Sequence, residues 1–336
     1  MDFLNALVML TNFVIIPASV YGAQLALGAL AITLIYSILR FSNFAHGDSM
    51  AFGTVVTIGV TALFQSWGLH LGPLPTALIA LPFGVIATAL LMIGTDIAVY
   101  RFYRVKRAAP IVFVMASMGV MFVMNGVVRF LAGTKDISFD DGVRFVIKAA
   151  EFKKWSGLDQ PLALRSTSLI TLVVAVAVVA WLFWFLGKTR TGKSMRAFSD
   201  NEDLALLSGI APNRVVMVTW AIVALLTTTA GVLYGLDKAY SPFTYFQLLL
   251  PTFAAAIVGG LGSPLGAIAG GFVVAFSEVV VTYVWKQVAA YLLPAALEPT
   301  SLMQIMSTEY KVAVSFAILV VVLLFKPTGL FKGQSV

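Results

Sequence analysis

The sequence predicts an all-α polytopic membrane protein with about 8–10 transmembrane segments, some of them short or broken. Composition is the first reason. Of the 336 residues, 60% are hydrophobic and 11% charged, and mean hydropathy is +0.96, against about 25% charge in a soluble domain. The second reason is where the charge falls. Residues 3–39, 49–95, 108–128, 166–187, 215–236 and 239–277 contain no Asp, Glu, Lys or Arg. A helix needs roughly 20 apolar residues to cross the hydrocarbon core, so the longest of these runs hold two spans each. The third reason is economy: spans and connections use nearly the whole chain, 1–336, as one transmembrane domain.

Glycine, proline and charge divide the chain into ten hydrophobic segments, near 3–17, 20–39, 45–66, 76–100, 110–132, 166–187, 215–236, 249–262, 265–288 and 311–326. The first is kept as a short span and not a signal peptide. Asp2 stands where a basic n-region belongs, and no small-x-small site precedes a polar mature region. Arg40 closes the second segment, Asp96 and the basic run at 101–107 close the fourth, and Lys188 closes the sixth. The eighth is short for a full span, opened by Pro251 and closed by Gly259, Gly260 and Gly262.

Orientation follows from Lys and Arg in short loops. Arg101, Arg104, Lys106 and Arg107 place 101–107 in the cytoplasm, and Lys188, Arg190, Lys193, Arg196 and Arg214 place 188–214 on the same side. The two spans between these loops agree in parity. The 133–165 loop then lies outside, and both termini are expected inside, the C-terminal one with Lys326 and Lys332. The outer loop mixes signs: Lys135, Arg144, Lys148, Lys153, Lys154 and Arg165 against Asp136, Asp140, Asp141, Glu151 and Asp159. It reads either as a contact for a soluble extracytoplasmic partner or as a plain connector.

Several function classes are excluded or disfavoured. There is no HExxH and no cysteine, and His46 and His70 are the only histidines. No metal site or cofactor is expected in this chain. The net charge of +7 reports membrane topology first and gives no sign of nucleic-acid binding.

Four features carry candidate function. The polar insert 188–214 interrupts two apolar spans, and within it Asp203, Leu204 and Ala205 precede Gly209 by the spacing acidic-x-Ala-x-x-x-Gly. It is either a docking element for a soluble partner, with Leu204, Leu207 and Ile210 as apolar anchors, or a solvated loop. In Asn43-Phe44-Ala45-His46-Gly47-Asp48, polar residues cluster between two spans. Such groups persist at membrane depth only where protein or a watery cavity satisfies them. Asn43, His46 and Asp48 are therefore pathway candidates, the other reading being a turn in which Asp48 caps the next helix or pairs with Arg40. Gly259, Gly260 and Gly262, with Pro264, mark either a broken helix lining a pathway or close helix packing. Glu278 lies well inside a span, where a carboxylate is costly and faces a bundle interior or water.

Three motifs in order, NFAHGD at 43–48, the 188–214 insert and GVLYG…FAAAIVGGLGSPLGAIAGG over 231–271, are followed by KPTGLF at 326–331. Together they resemble the branched-chain amino-acid ABC transporter permease family, specifically its LivH-type subunit, from about residue 20 onward. In the insert Leu204 stands where the family's coupling loop has Ala, and the apolar-x-Leu-Pro that often follows is missing. The resemblance implies a non-enzymatic half-permease in a bacterial inner membrane. It would pair with a LivM-type second permease subunit, two ATP-binding cassette subunits that hold the ATP, and a periplasmic substrate-binding protein, with lipid around the bundle. It also implies import of branched-chain or other hydrophobic amino acids. Related members carry urea, short amides or aromatic acids.

Overall fold

The computed structural model describes residues 2–133, 136–139, 142–292 and 303–331. Lys135, Asp140, Asp141 and Lys332, which entered the charge reading above, lie outside the described residues. Among the described residues nine helices are long and apolar enough to cross a membrane. They are α1 (Asp2–Leu39), α2 (His46–Ser66), α3 (Ala77–Val105), α4 (Pro110–Ala132), α6 (Ser166–Lys188), α9 (Pro212–Lys238), α10 (Pro242–Gly259), α11 (Pro264–Thr282) and α13 (Thr308–Phe325). Four shorter helices join them: α5 (Ala149–Ser156), α7 (Arg190–Asp200), α8 (Glu202–Leu207) and α12 (Lys286–Leu292). The only described sheet is a two-stranded antiparallel ladder, β1 (Phe145–Ile147) with β2 (Leu164–Arg165).

Three expected boundaries are corrected. Segments 3–17 and 20–39 are one 38-residue helix. A π turn over Thr11–Ile15 precedes Pro17. Widening the helix there accommodates the missing proline N–H and the ring's clash with the preceding turn without a break. At about 1.5 Å per residue the helix is roughly 57 Å long, well beyond a ~30 Å hydrocarbon core. The eighth segment starts at Pro242, not 249, with Pro251 inside an 18-residue helix. The ninth stops at Thr282, not 288, because its last carbonyls are taken by side chains: Trp285 Nε1 donates to Val280 O at 3.1 Å and Gln304 Nε2 to Thr282 O at 2.9 Å.

Helices α1 and α9 form the middle of the bundle, with nearly every residue of 18–38 and 215–235 buried. Such helices are apolar all round because they meet protein on every side. The flanking helices α3, α4, α6 and α13 keep large apolar side chains such as Leu90, Phe122, Val176 and Leu324 on the outer surface, the face a bilayer covers. Glycine permits the closest approaches. A Cβ on Gly271 of α11 would lie 2.6 Å from the backbone nitrogen of Ala26 on α1.

The outer loop is bound to its surroundings. Ile137 pairs with Tyr240 as an isolated antiparallel bridge, and Val143 N–H donates to Pro73 O at 3.0 Å. Asn5 Oδ1 accepts from Gln160 N–H at 3.3 Å, Asn12 Oδ1 accepts from Ala163 N–H at 3.3 Å, and Gln160 Nε2 donates to Tyr291 at 2.7 Å. The start of α1 therefore sits with this loop and α12. The other end of the described chain sits at the opposite end of the bundle, where Leu330 N–H bonds Val258 O at 2.8 Å and Phe331 N–H bonds Gly259 O at 3.0 Å.

Candidate transport pathway and coupling surface

The 43–48 motif is not a solvated turn. Asn43, His46 and Asp48 are 4%, 0% and 1% exposed, inside the bundle. After α1 ends at Arg40 in a left-handed conformation, Asn43 Oδ1 accepts from Ala45 N–H at 3.1 Å and from the Tyr100 hydroxyl at 3.2 Å. Asn43 thus organises the turn into α2, and Asp48 does not: no side chain caps that helix start. Asp48 Oδ1 instead accepts from Asn125 Nδ2 of α4 at 2.8 Å. Nor does Asp48 pair with Arg40, whose guanidinium donates to Ser199 O of α7. His46 Nδ1 is 3.5 Å from Thr227 Oγ1 of α9. Among the described residues His46 Nε2 and Asp48 Oδ2 have no hydrogen-bond partner, an uncommon state for buried polar atoms.

Beside the motif runs a seam of buried threonines, Thr54 and Thr57 on α2, Thr88 on α3 and Thr227, Thr228 and Thr229 on α9. Thr228 Oγ1 donates to Thr88 Oγ1 at 2.9 Å, joining α9 to α3. Thr54 and Thr57 each donate to the carbonyl four residues back, at 2.9 and 2.8 Å, so their hydroxyls are satisfied without leaving the helix. The sequence reading missed Asn125, Tyr100 and these threonines. The signals were present as the sole amide in segment 110–132 and a Thr-Thr-Thr run in segment 215–236.

Glu278 stands apart from this group. It is 2% exposed, and Ser315 of α13 donates to its Oε1, with Tyr21 of α1 also facing the carboxylate. The bond from Ser315 ties α11 to α13; no hydrogen bond among the described residues joins Glu278 to the 43–48 motif. Asp96, at the π turn Asp96–Tyr100, forms a two-bond ion pair with Arg104, both contacts 2.9 Å.

Gly259, Gly260 and Gly262 do not interrupt a span at mid-depth. They form the turn between α10 and α11 at the end of the bundle that also holds the C-terminal segment. A Cβ on Gly259 would lie 2.0 Å from Gly266 O, and one on Gly270 2.0 Å from Ala255 O. Here the glycines serve backbone-to-backbone packing. A cavity of about 710 Å³ lies between α3 and α4 against Leu90, Gly94, Gly119 and Val123; none of the pathway candidates lines it.

The 188–214 insert folds as two capped helices. Thr189 Oγ1 accepts from Gly192 N–H at 3.0 Å to start α7, and Asn201 Oδ1 accepts from Leu204 N–H at 3.0 Å to start α8. Within α8 Ala205 is buried, while Leu204 and Leu207 are 61% and 85% exposed and Leu206 also projects. Ile210 turns inward against the core, so it is not an anchor of the exposed face. Asp203 is exposed. Gly209, at φ +79°, ends the helix in the left-handed region, with open space around it.

The family described as branched-chain amino acid transport system / permease component matches residues 14–323. The chain belongs to that permease family. It is 29% identical to the high-affinity branched-chain amino acid transport system permease protein LivH of Escherichia coli (strain K12), over 94% of this chain and 93% of that protein. It is 25% identical to the corresponding permease protein BraD of Pseudomonas aeruginosa, over 94% of each. It is 26% identical to a probable LivH of Methanocaldococcus jannaschii, over 79% of each. Among solved structures it is similar to a chain of PsaBC from Streptococcus pneumoniae in complex with Fab, at 14% identity and a TM-score of 0.43. As a permease of this family, the chain has its buried polar motif, threonine seam and α7–α8 face within the matched residues, while the 326–331 segment lies beyond them.

Proposed function

We propose that this permease is one membrane subunit of an ATP-driven importer for branched-chain or other apolar amino acids. The observation that carries the reading is the α8 face. Leu204, Leu206 and Leu207 project from a short helix fixed at both ends, by Asn201 and Gly209, outside the apolar bundle. Exposed leucines on a capped, extramembrane helix fit a groove on a soluble subunit. ATP would be hydrolysed on two such subunits, and a second permease subunit of LivM type would complete the pathway.

Positive charge puts α7 and α8 in the cytoplasm. With nine described spans the N-terminal helix end then lies outside with the 133–165 loop, and Leu330 inside. This proposed orientation differs from the expectation of two cytoplasmic termini. A periplasmic binding protein would deliver substrate over the outer loop. The relatives' names supply the substrate class. Reconstitution of the complex with its binding protein, followed by uptake in the presence of leucine, urea and benzoate, tests it. Competition by leucine alone is expected. Uptake of urea or benzoate unaffected by leucine overturns the substrate, and purification without any nucleotide-hydrolysing subunit overturns ATP coupling.

A further inference from the structure

A second cavity, about 460 Å³, opens on the outer face, and its lining includes Phe139, Arg144, Arg165, Thr167, Leu236 and Asp237. Its volume falls within the ~300–1,000 Å³ usual for small-molecule sites. No pathway candidate from the sequence lines it. Unlike the apolar cavity between α3 and α4, it is built of both charge signs and apolar walls.

The charges are arranged by the fold. Thr167 belongs to the first turn of α6, a 23-residue helix that no side chain caps, so this wall carries the positive end of a helix. Arg165 immediately precedes that turn. Arg144 is held beside it, because its carbonyl accepts from Ser166 N–H at 3.3 Å while its guanidinium lies 5.8 Å from the Phe145 ring centroid. Leu236 and Asp237 belong to the last turn of α9, the negative end of a 27-residue helix. Arg144, Arg165 and the start of α6 thus suit a carboxylate, and Asp237, which Lys238 and Arg165 also face, suits an ammonium, with Phe139 and Leu236 offering apolar contact. The bridge from Ile137 to Tyr240 and the bond from Val143 to Pro73 fix the outer loop over this space.

We infer that this cavity is an outer vestibule that captures a zwitterionic, apolar-side-chain amino acid, its carboxylate toward Arg144, Arg165 and the α6 start and its ammonium toward Asp237. The inference rests on the amino-acid importer reading and adds a site to it.

The chain has no cysteine, which makes the test site-specific. In the intact complex in outward-facing vesicles, Thr167→Cys is labelled with a membrane-impermeant maleimide, and modification is read on this chain by mass. Leucine is expected to slow labelling about tenfold, whereas 3-methylbutylamine and 4-methylpentanoate, each lacking one charge, are not. Asp237→Asn or Arg165→Gln should each raise the leucine concentration for half-protection about tenfold, the effect of one lost charged contact. Trp155→Cys, on the same loop but fully projecting, should label at one rate throughout. Leu236→Cys reports from the opposite wall if Thr167→Cys fails to accumulate. Equal protection by the amine or the acid, or protection that survives both charge variants, overturns the inference. Leucine uptake without protection overturns the vestibule alone. Absence of leucine uptake by the unsubstituted complex overturns the substrate reading, and the vestibule with it.

Discussion

Asn125 on α4 donates its side-chain N–H to Asp48 on α2 across 2.8 Å in the interior of the bundle. Apart from His46, the other buried positions of these two helices are apolar, small or hydroxyl-bearing. The bond satisfies one carboxylate oxygen and leaves the other without a partner among the described residues. Removing the donor should therefore cost more than the bond is worth. Asn125→Leu is expected to destabilise the permease by about 1–3 kcal/mol, measured as a lowered thermal midpoint in detergent. The double variant Asp48→Leu with Asn125→Leu should regain most of that stability and still fail to transport. Recovery of uptake in the double variant would reduce the pair to a structural tie.

The α8 face predicts a coupling phenotype. Leu207→Asp changes a side chain 85% exposed, so membrane insertion and thermal stability should be unaffected. Association with the ATPase subunits, read by co-purification, should fall by at least tenfold, the effect of about 1.4 kcal/mol. Ile210→Asp should behave differently and lower stability, because Ile210 packs against the permease's own core. Wild-type association in Leu207→Asp would remove the docking assignment.

Gly209 is a test of backbone geometry. Its φ of +79° excludes most residues, yet the space around it is open. Gly209→Asn should be tolerated, since Asn enters the left-handed region readily, while Gly209→Val should cost about 1–2 kcal/mol. The uptake rate of the two variants is the measurement. Equal loss in both would mean that bulk, and not conformation, matters there.

The α10–α11 hairpin leaves no room for one carbon atom. In Gly259→Ala the added Cβ would meet Gly266 O at 2.0 Å, and the backbones must separate. Overpacking of this kind costs about 1–3 kcal/mol. Reduced monodisperse yield in detergent is expected, whereas Gly119→Ala, which has nothing within 4 Å, should purify normally.

Much of this permease was legible along the chain. Charge-free runs marked the spans because hydrocarbon rejects charge locally, whatever the neighbouring helices do. Basic loops and the polar 188–214 insert were legible for the same reason, and the caps Thr189 and Asn201 are short-range features. What the chain alone did not decide is what depends on contacts between distant residues. Pro17 reads as a break and sits in a continuous helix, because a π turn and packing along both sides of α1 absorb it. Asp48 reads either as a pathway group or as a cap for its own helix, and its bond to Asn125, 77 residues away, is not legible along the chain. Gly259 reads either as a helix break in a pathway or as close packing, and only the folded chain names Gly266 as its contact. Ile210 reads as an anchor for a partner and faces inward. Span length and charge are settled by the solvent at each position. The partner of a buried polar or small residue is settled only when the helices meet, because many partners satisfy the same side chain and packing admits one.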